Sequence, residues 1–155
     1  MASMVARFGL NWLPLRVDTG IRMILLVEDD DDDVFLMEFA MSKISDKPPM
    51  LRVSNGQEAL DYLKGLDKYA DRTVYPLPEI IFLDLKLPFV HGFEVLKWIK
   101  SQPALQDIHV TVITGSLEDV DREVALRLGA NAFHSKPPET EFLRRVFTSM
   151  RDKSK

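Results

Sequence analysis

The chain contains no cysteine. Neither disulfides nor thiolate metal sites can form, an absence compatible with a reducing cytoplasm. No apolar stretch approaches the roughly 20 residues that a membrane span needs. Charge of one sign is not in large excess: the net charge is −4, which argues against nucleic-acid binding through bulk positive charge. There are no internal repeats, and we expect a single domain. What is present is 155 residues, 46% apolar and 28% charged, enough for one domain with a full core. We expect a cytoplasmic location, no membrane contact and no direct binding of nucleic acid.

Residues 1–22 carry three arginines and one acid, with Phe8, Leu10, Trp12 and Leu13 scattered among them. Pro14 and Gly20 interrupt any helix, and no clean apolar segment precedes a small-residue cleavage site. We read 1–22 as a flexible or loosely docked extension, with Met23 as an alternative start; a functional arm is the lesser reading. Residues 23–150 form the domain, and 151–155 a charged tail expected to fray.

Four short motifs follow four apolar runs. Glu28-Asp29-Asp30 follows Met23–Val27, Asp84 follows Ile80–Leu83, Thr114 follows Val110–Ile113, and Lys136-Pro137 follows 131–135. Each run reads as a buried strand, too short for a helix and rich in β-branched residues. Leu51–Val53 adds a further short strand. Helical patterns lie between the runs at about 31–44, 56–66, 92–102, 118–128 and 139–150. Asn55 is placed to cap the second helix and Gly129 to end the fourth. Asp67–Pro78, with two prolines, reads as a surface loop. The alternation implies βαβ units and a parallel α/β sheet. All strand ends then point to one edge, where such sheets bind ligands.

Acids crowded at that edge need a counter-charge. Two unit charges about 4 Å apart repel by on the order of 4 kcal/mol at an effective dielectric near 20. A hard cation removes this cost, and Mg2+ prefers one or two carboxylates together with water and phosphate oxygens. Glu28, Asp29 and Asp84 match that preference. Asp31, Asp32 and Asp33 read instead as a solvated run suited to a helix start. Asp84 could attack a phosphoryl donor and become an acyl phosphate, or could merely cap the next helix. Thr114 could hydrogen-bond a phosphoryl oxygen or cap a helix, a job for which Ser116 competes. Lys136 could pair with a carboxylate or with a phosphoryl oxygen; alone it would be surface decoration.

Taken together, Val27-Glu28-Asp29-Asp30, Leu83-Asp84-Leu85-Lys86-Leu87-Pro88, Thr114-Gly115-Ser116 and Lys136-Pro137 closely resemble the receiver domains of bacterial response regulators. The resemblance runs from about Ile24 to Met150, and the separations of 30 from Asp84 to Thr114 and 22 from Thr114 to Lys136 fit it. It implies a doubly wound, flavodoxin-like (βα)5 sandwich of three layers, its five parallel strands in the order 2-1-3-4-5. It implies a phosphoacceptor at Asp84, and Mg2+ held by Glu28, Asp29, Asp84 and the backbone carbonyl of Lys86. Thr114 becomes the switch hydroxyl beside Gly115, Lys136 the phosphoryl-contacting lysine, and Phe133 the switch aromatic. The Lys136-Pro137 bond is often cis in such domains. The implied donor is a sensor histidine kinase or a phosphotransfer protein, and the output is a partner or self-association. The long 67–78 connection and the Glu-Asp-Asp-rich first motif further resemble single-domain regulators paired with phytochrome-type kinases. Apolar positions on the last helix leave a homodimer open.

Three positions depart from the family's pattern. His91 stands where Asp is common before the loop glycine, a change expected to affect the loop only. Phe133 replaces a frequent tyrosine. Lys86 lies beside the route of an attacking water, so Lys86 and Ser116 are expected to tune the acyl-phosphate lifetime. Rival functions fit less well. A flavin carrier needs a hydroxyl- and glycine-rich phosphate loop after the first strand, where this chain has three acids. An Asp-nucleophile phosphohydrolase commonly has a second acid where Lys86 stands. A scaffold that is never phosphorylated would not need the full acid, threonine and lysine set.

Overall fold

The continuous apolar runs of the short strands are divided between two cores. The computed structural model describes residues 23–116 and 118–153; the extension 1–22 lies outside them. Five strands, β1 (Ile24–Val27), β2 (Met50–Val53), β3 (Ile80–Leu83), β4 (His109–Thr114) and β5 (Ala132–Ser135), form one parallel sheet in the order β2-β1-β3-β4-β5. Five helices connect them: α1 (Asp31–Ser42), α2 (Gly56–Lys64), α3 (Gly92–Ser101), α4 (Asp119–Arg127) and α5 (Thr140–Lys153). The topology is the expected flavodoxin-like order. Because side chains on a strand alternate between faces, Leu25 and Val27 join Ile81 and Leu83 under α2, α3 and α4. Ile24 and Leu26 join Ile80 and Phe82 under α1 and α5. This two-sided burial explains why β1 and β3 read as continuous apolar runs.

Two expectations change. The 67–78 connection is packed rather than a plain surface loop. It contains a 3-10 turn at Asp67–Tyr69, and Tyr62, Tyr69 and Tyr75 meet with ring centroids 4.9 to 6.0 Å apart. Arg72 donates to the carbonyls of Tyr62 and Leu63 at 2.8 Å each, adding to the Gly65 amide that the Tyr62 carbonyl already accepts at the end of α2. The last helix also extends beyond the expected 139–150: α5 runs on to Lys153. Arg151 and Lys153 sit in its last turn, where cations favour the helix dipole.

The apolar residues of α5 turn largely inward, with Phe142 and Met150 half-buried. Leu143, Val146 and Phe147 are buried against the sheet. A cluster of exposed apolar side chains lies on α1, where Phe35 and Phe39 stack with centroids 6.5 Å apart and Leu36 stands beside them; Phe89, and Val120 and Leu126 on α4, are exposed as well.

One polar residue sits deep in the fold. His109 is buried, its Nε2 lies 2.7 Å from Thr111 Oγ1, and its Nδ1 has no partner. Burial, followed by the charges of Lys153 and Lys100, lowers its pKa from 6.5 to about 4. A folded-state value below the unfolded one adds stability above 6.5 that is lost as pH falls toward 4. Between pH 7 and 4.5, urea unfolding should therefore show the native chain losing on the order of 2 kcal/mol more than His109→Gln. Equal losses would place the acid sensitivity elsewhere.

Candidate functional site

The strand register carries straight into the site. Beyond the last paired residues, the Asp84 amide donates to the Val27 carbonyl and the Glu28 amide to the Val53 carbonyl, both at 3.1 Å. The acids that follow β1 and β3 are thereby set side by side. Arg52 fixes the first turn after β1: its Nε donates to the Glu28 carbonyl at 2.8 Å and its Nη2 to the Asp29 carbonyl at 3.2 Å. Arg52 also pairs with Asp31 at 3.0 Å. This role was not visible in the sequence, because an arginine inside a short strand carries no motif. Asp30 caps α1, accepting from the amides of Asp32 and Asp33.

Asp84 does not cap α3. That position belongs to His91, whose Nδ1 accepts from the Phe93 amide at 3.0 Å. Asp84 is buried, and its Oδ1 accepts from the Leu85 amide at 2.7 Å. Gly92 lets α3 press on this turn, since a Cβ there would fall 2.3 Å from the Asp84 carbonyl oxygen. On the far side, the Lys136 amide donates to the Thr114 carbonyl at 2.9 Å. The Lys136-Pro137 bond is cis, as the resemblance implied.

Lys136 then reaches across the edge. Its Nζ lies 2.7 Å from Glu28 Oε2, 2.7 Å from Asp33 Oδ2 and 2.9 Å from Asp84 Oδ2. Asp33 corrects the sequence reading: it belongs to the site, not to a solvated run. Three carboxylates around one ammonium leave surplus negative charge in the cluster. Burial and the Asp84 charge push Glu28 up to about 7 against the pull of the ammonium. The carboxylates raise Lys136 above its usual range even though burial opposes this.

Glu28, Asp29 and Asp84 offer ligand oxygens within 4.8 Å of one another. A hard divalent cation fits such an all-oxygen set. The same open cleft is lined by Lys86, Thr114, Gly115, Ser116 and Lys136. Thr114 is buried, and its Oγ1 accepts from the Ser116 amide at 3.3 Å. The Ser116 hydroxyl donates to Asp121, which ties the cleft's rim to α4. Phe133 is not in the cleft; it is half-buried beneath α4, with the Arg122 guanidinium 6.0 Å from its ring centre.

A doubly wound sheet with a carboxylate trio, a hydroxyl and an ammonium at its carboxyl edge is the architecture of a receiver domain. The chain belongs to the response regulator receiver domain family, whose model matches residues 24–147. It is 35% identical over 130 residues to the probable methanogenesis regulatory protein FilR2 of Methanothrix harundinacea, covering 84% of this chain and 81% of that one. It is 32% identical to the response regulator Rcp1 of Synechocystis, over 74% of this chain and 76% of the relative. Among solved structures, the phosphorylated cyanobacterial phytochrome response regulator RcpA superposes with a TM-score of 0.70 at 31% identity. That match covers 84% of this chain and 91% of RcpA. The Mn2+-bound form of Rcp1 gives 0.69 at 30% identity, over 84% and 90%. No helix among the described residues is long and apolar enough to cross a membrane.

Removing the ammonium should expose the cost of the carboxylates. In metal-free buffer at pH 7.5, Lys136→Met should lose about 3 kcal/mol of unfolding free energy. The loss should shrink at pH 5, where Glu28 takes up a proton. A variant as stable as the native chain at pH 7.5 would contradict this charge balance.

Proposed function

We propose that this chain is a stand-alone receiver that takes a phosphoryl group onto Asp84 from a phosphohistidine. The observation that supports this most is the convergence of Asp84, Glu28, Asp29, Thr114 and Lys136 on one cleft at the sheet edge. Asp84 Oδ2 attacks phosphorus, the new O–P bond forms as the donor's P–N bond breaks, and the imidazole nitrogen keeps the electron pair. Lys136 is positioned to neutralise a phosphoryl oxygen, and the Leu85 amide holds the other carboxylate oxygen in place. Glu28, Asp29 and Asp84, with the Lys86 carbonyl, would hold Mg2+, which would supply further positive charge to the phosphoryl oxygens. Return to the free carboxylate is by water attack, beside the exposed Lys86.

The buried Thr114 hydroxyl then turns toward the phosphoryl group, Phe133 follows into the space released, and the face of α4, β5 and α5 changes its partner affinity, a population shift between two packings. The hydrogen bond from Ser116 to Asp121 supports this route, since it joins the cleft to the start of α4. The donor is a sensor histidine kinase, of phytochrome type by analogy with RcpA, or a histidine phosphotransfer protein. The output partner is a second protein or a second copy of this chain. The setting is cytoplasmic.

Incubation with Mg2+ and acetyl phosphate or phosphoramidate, followed by intact mass after acid quench, tests this directly. A labile single-phosphate adduct is expected in the native chain and absent from Asp84→Ala. Lys86→Asn should change the decay rate of that adduct; an equal rate removes Lys86 from lifetime control. No adduct on a folded, Mg2+-binding chain would favour a scaffold role.

A further inference from the structure

We infer that Asp33 is a positioning residue that keeps the Lys136 ammonium over Asp84 when Glu28 and Asp84 are engaged by a cation, an inference that rests on the phosphoacceptor reading above.

Lys136 Nζ has three carboxylate partners, and two of them, Glu28 and Asp84, belong to the trio suited to a divalent ion. Asp33 is the third, at 2.7 Å, and it is not one of the trio. A dication between Glu28 and Asp84 weakens their hold on the ammonium and also repels it directly. An ammonium held only by those two would leave when the ion enters, or would compete with it for the same oxygens. Asp33 approaches from α1, a different element, and so retains the lysine without occupying the cation's ligands. Its environment favours a strong pair. The Lys136 side chain is 15% exposed and that of Asp33 is 27% exposed, and Leu36, Met37 and Pro137 wall the space they share. The neighbouring acids are otherwise employed: Asp30 caps the helix and Asp31 pairs with Arg52. The α1 backbone is thus set with Asp33 facing the lysine.

The test is the ammonium nitrogen resonance of Lys136 in 15N-labelled protein, assigned by its loss in Lys136→Arg. With saturating Mg2+, the native chain should keep a slowly exchanging Lys136 resonance. In Asp33→Asn, Mg2+ should still bind by calorimetry while that resonance is lost to fast exchange. Labelling by acetyl phosphate at saturating Mg2+ should fall roughly tenfold in the variant, the usual scale for groups that orient a site's inner residues. Asp33→Ser, which suits a helix start equally well, repeats the comparison if the Asn variant unfolds on thermal melting. A resonance that persists in the folded variant with Mg2+ bound, or an unchanged labelling rate, overturns the inference. If the native chain binds Mg2+ but takes no phosphate, the functional reading fails, and the resonance comparison alone then decides what holds Lys136.

Discussion

The Lys136 ammonium meets carboxylates from α1, from the end of β1 and from the end of β3, and its own backbone is bonded to the end of β4. The stretch 28–33, Asp84, Thr114 and Lys136 are thereby joined at one point. The charges do not balance: three anions face one cation, with Asp29 close by. A domain built only for stability would replace such a cluster with apolar side chains of similar volume, because buried ion pairs rarely repay their desolvation. Surplus negative charge at a sheet edge is instead what a hard cation requires, and under the proposed function that cation and Lys136 would together face the phosphoryl oxygens. Burial and then the Asp84 charge raise the pKa of Glu28, while for Lys136 burial is overcome by the three carboxylates around it.

The rest of the fold delivers these groups to the edge. Parallel pairing brings Val27, Leu83 and Thr114 to the same side of the sheet. Two-sided burial of β1 and β3 leaves no freedom of register, since a slip of one residue would move each core set to the wrong face. Arg52, Gly92 and His91 then refine the turns that follow the strands. The conformational response we propose passes from Thr114 and Ser116 into α4, away from the rigid β1 and β3 ends that hold the acids.

Much of this was legible in the sequence, for definite reasons. Buried strands announce themselves by continuous apolar runs, and a charged residue closing such a run must find solvent, a partner or an ion. Glu28 and Asp84 could be placed on that basis, Thr114 and Lys136 only as members of the whole set, and the structure brings all four together in one cleft. Asp33 was misread because its neighbours Asp31 and Asp32 are exposed; a run of identical residues hides which of them a distant lysine selects. Arg72 and the three tyrosines were missed because their contacts depend on a turn that the prolines only hinted at. The outward face of α1 was missed for a related reason. Phe35, Leu36 and Phe39 have core-like chemistry, and only packing reveals that Met37, Ala40 and Met41 fill the core instead. Phe133 remains a proposal resting on family resemblance and on its place beneath α4.

The claim that unites the site is that its surplus charge is made for one divalent cation. Calorimetric titration of the folded chain with Mg2+ at pH 7, in two buffers of different ionisation heat, measures both stoichiometry and protons released. The account predicts one ion per chain, abolished by Asp29→Asn with Asp84→Asn. With Glu28 near pKa 7, it also predicts release of roughly half a proton on binding. Absence of Mg2+ binding at millimolar concentrations, or binding indifferent to those two substitutions, would contradict it.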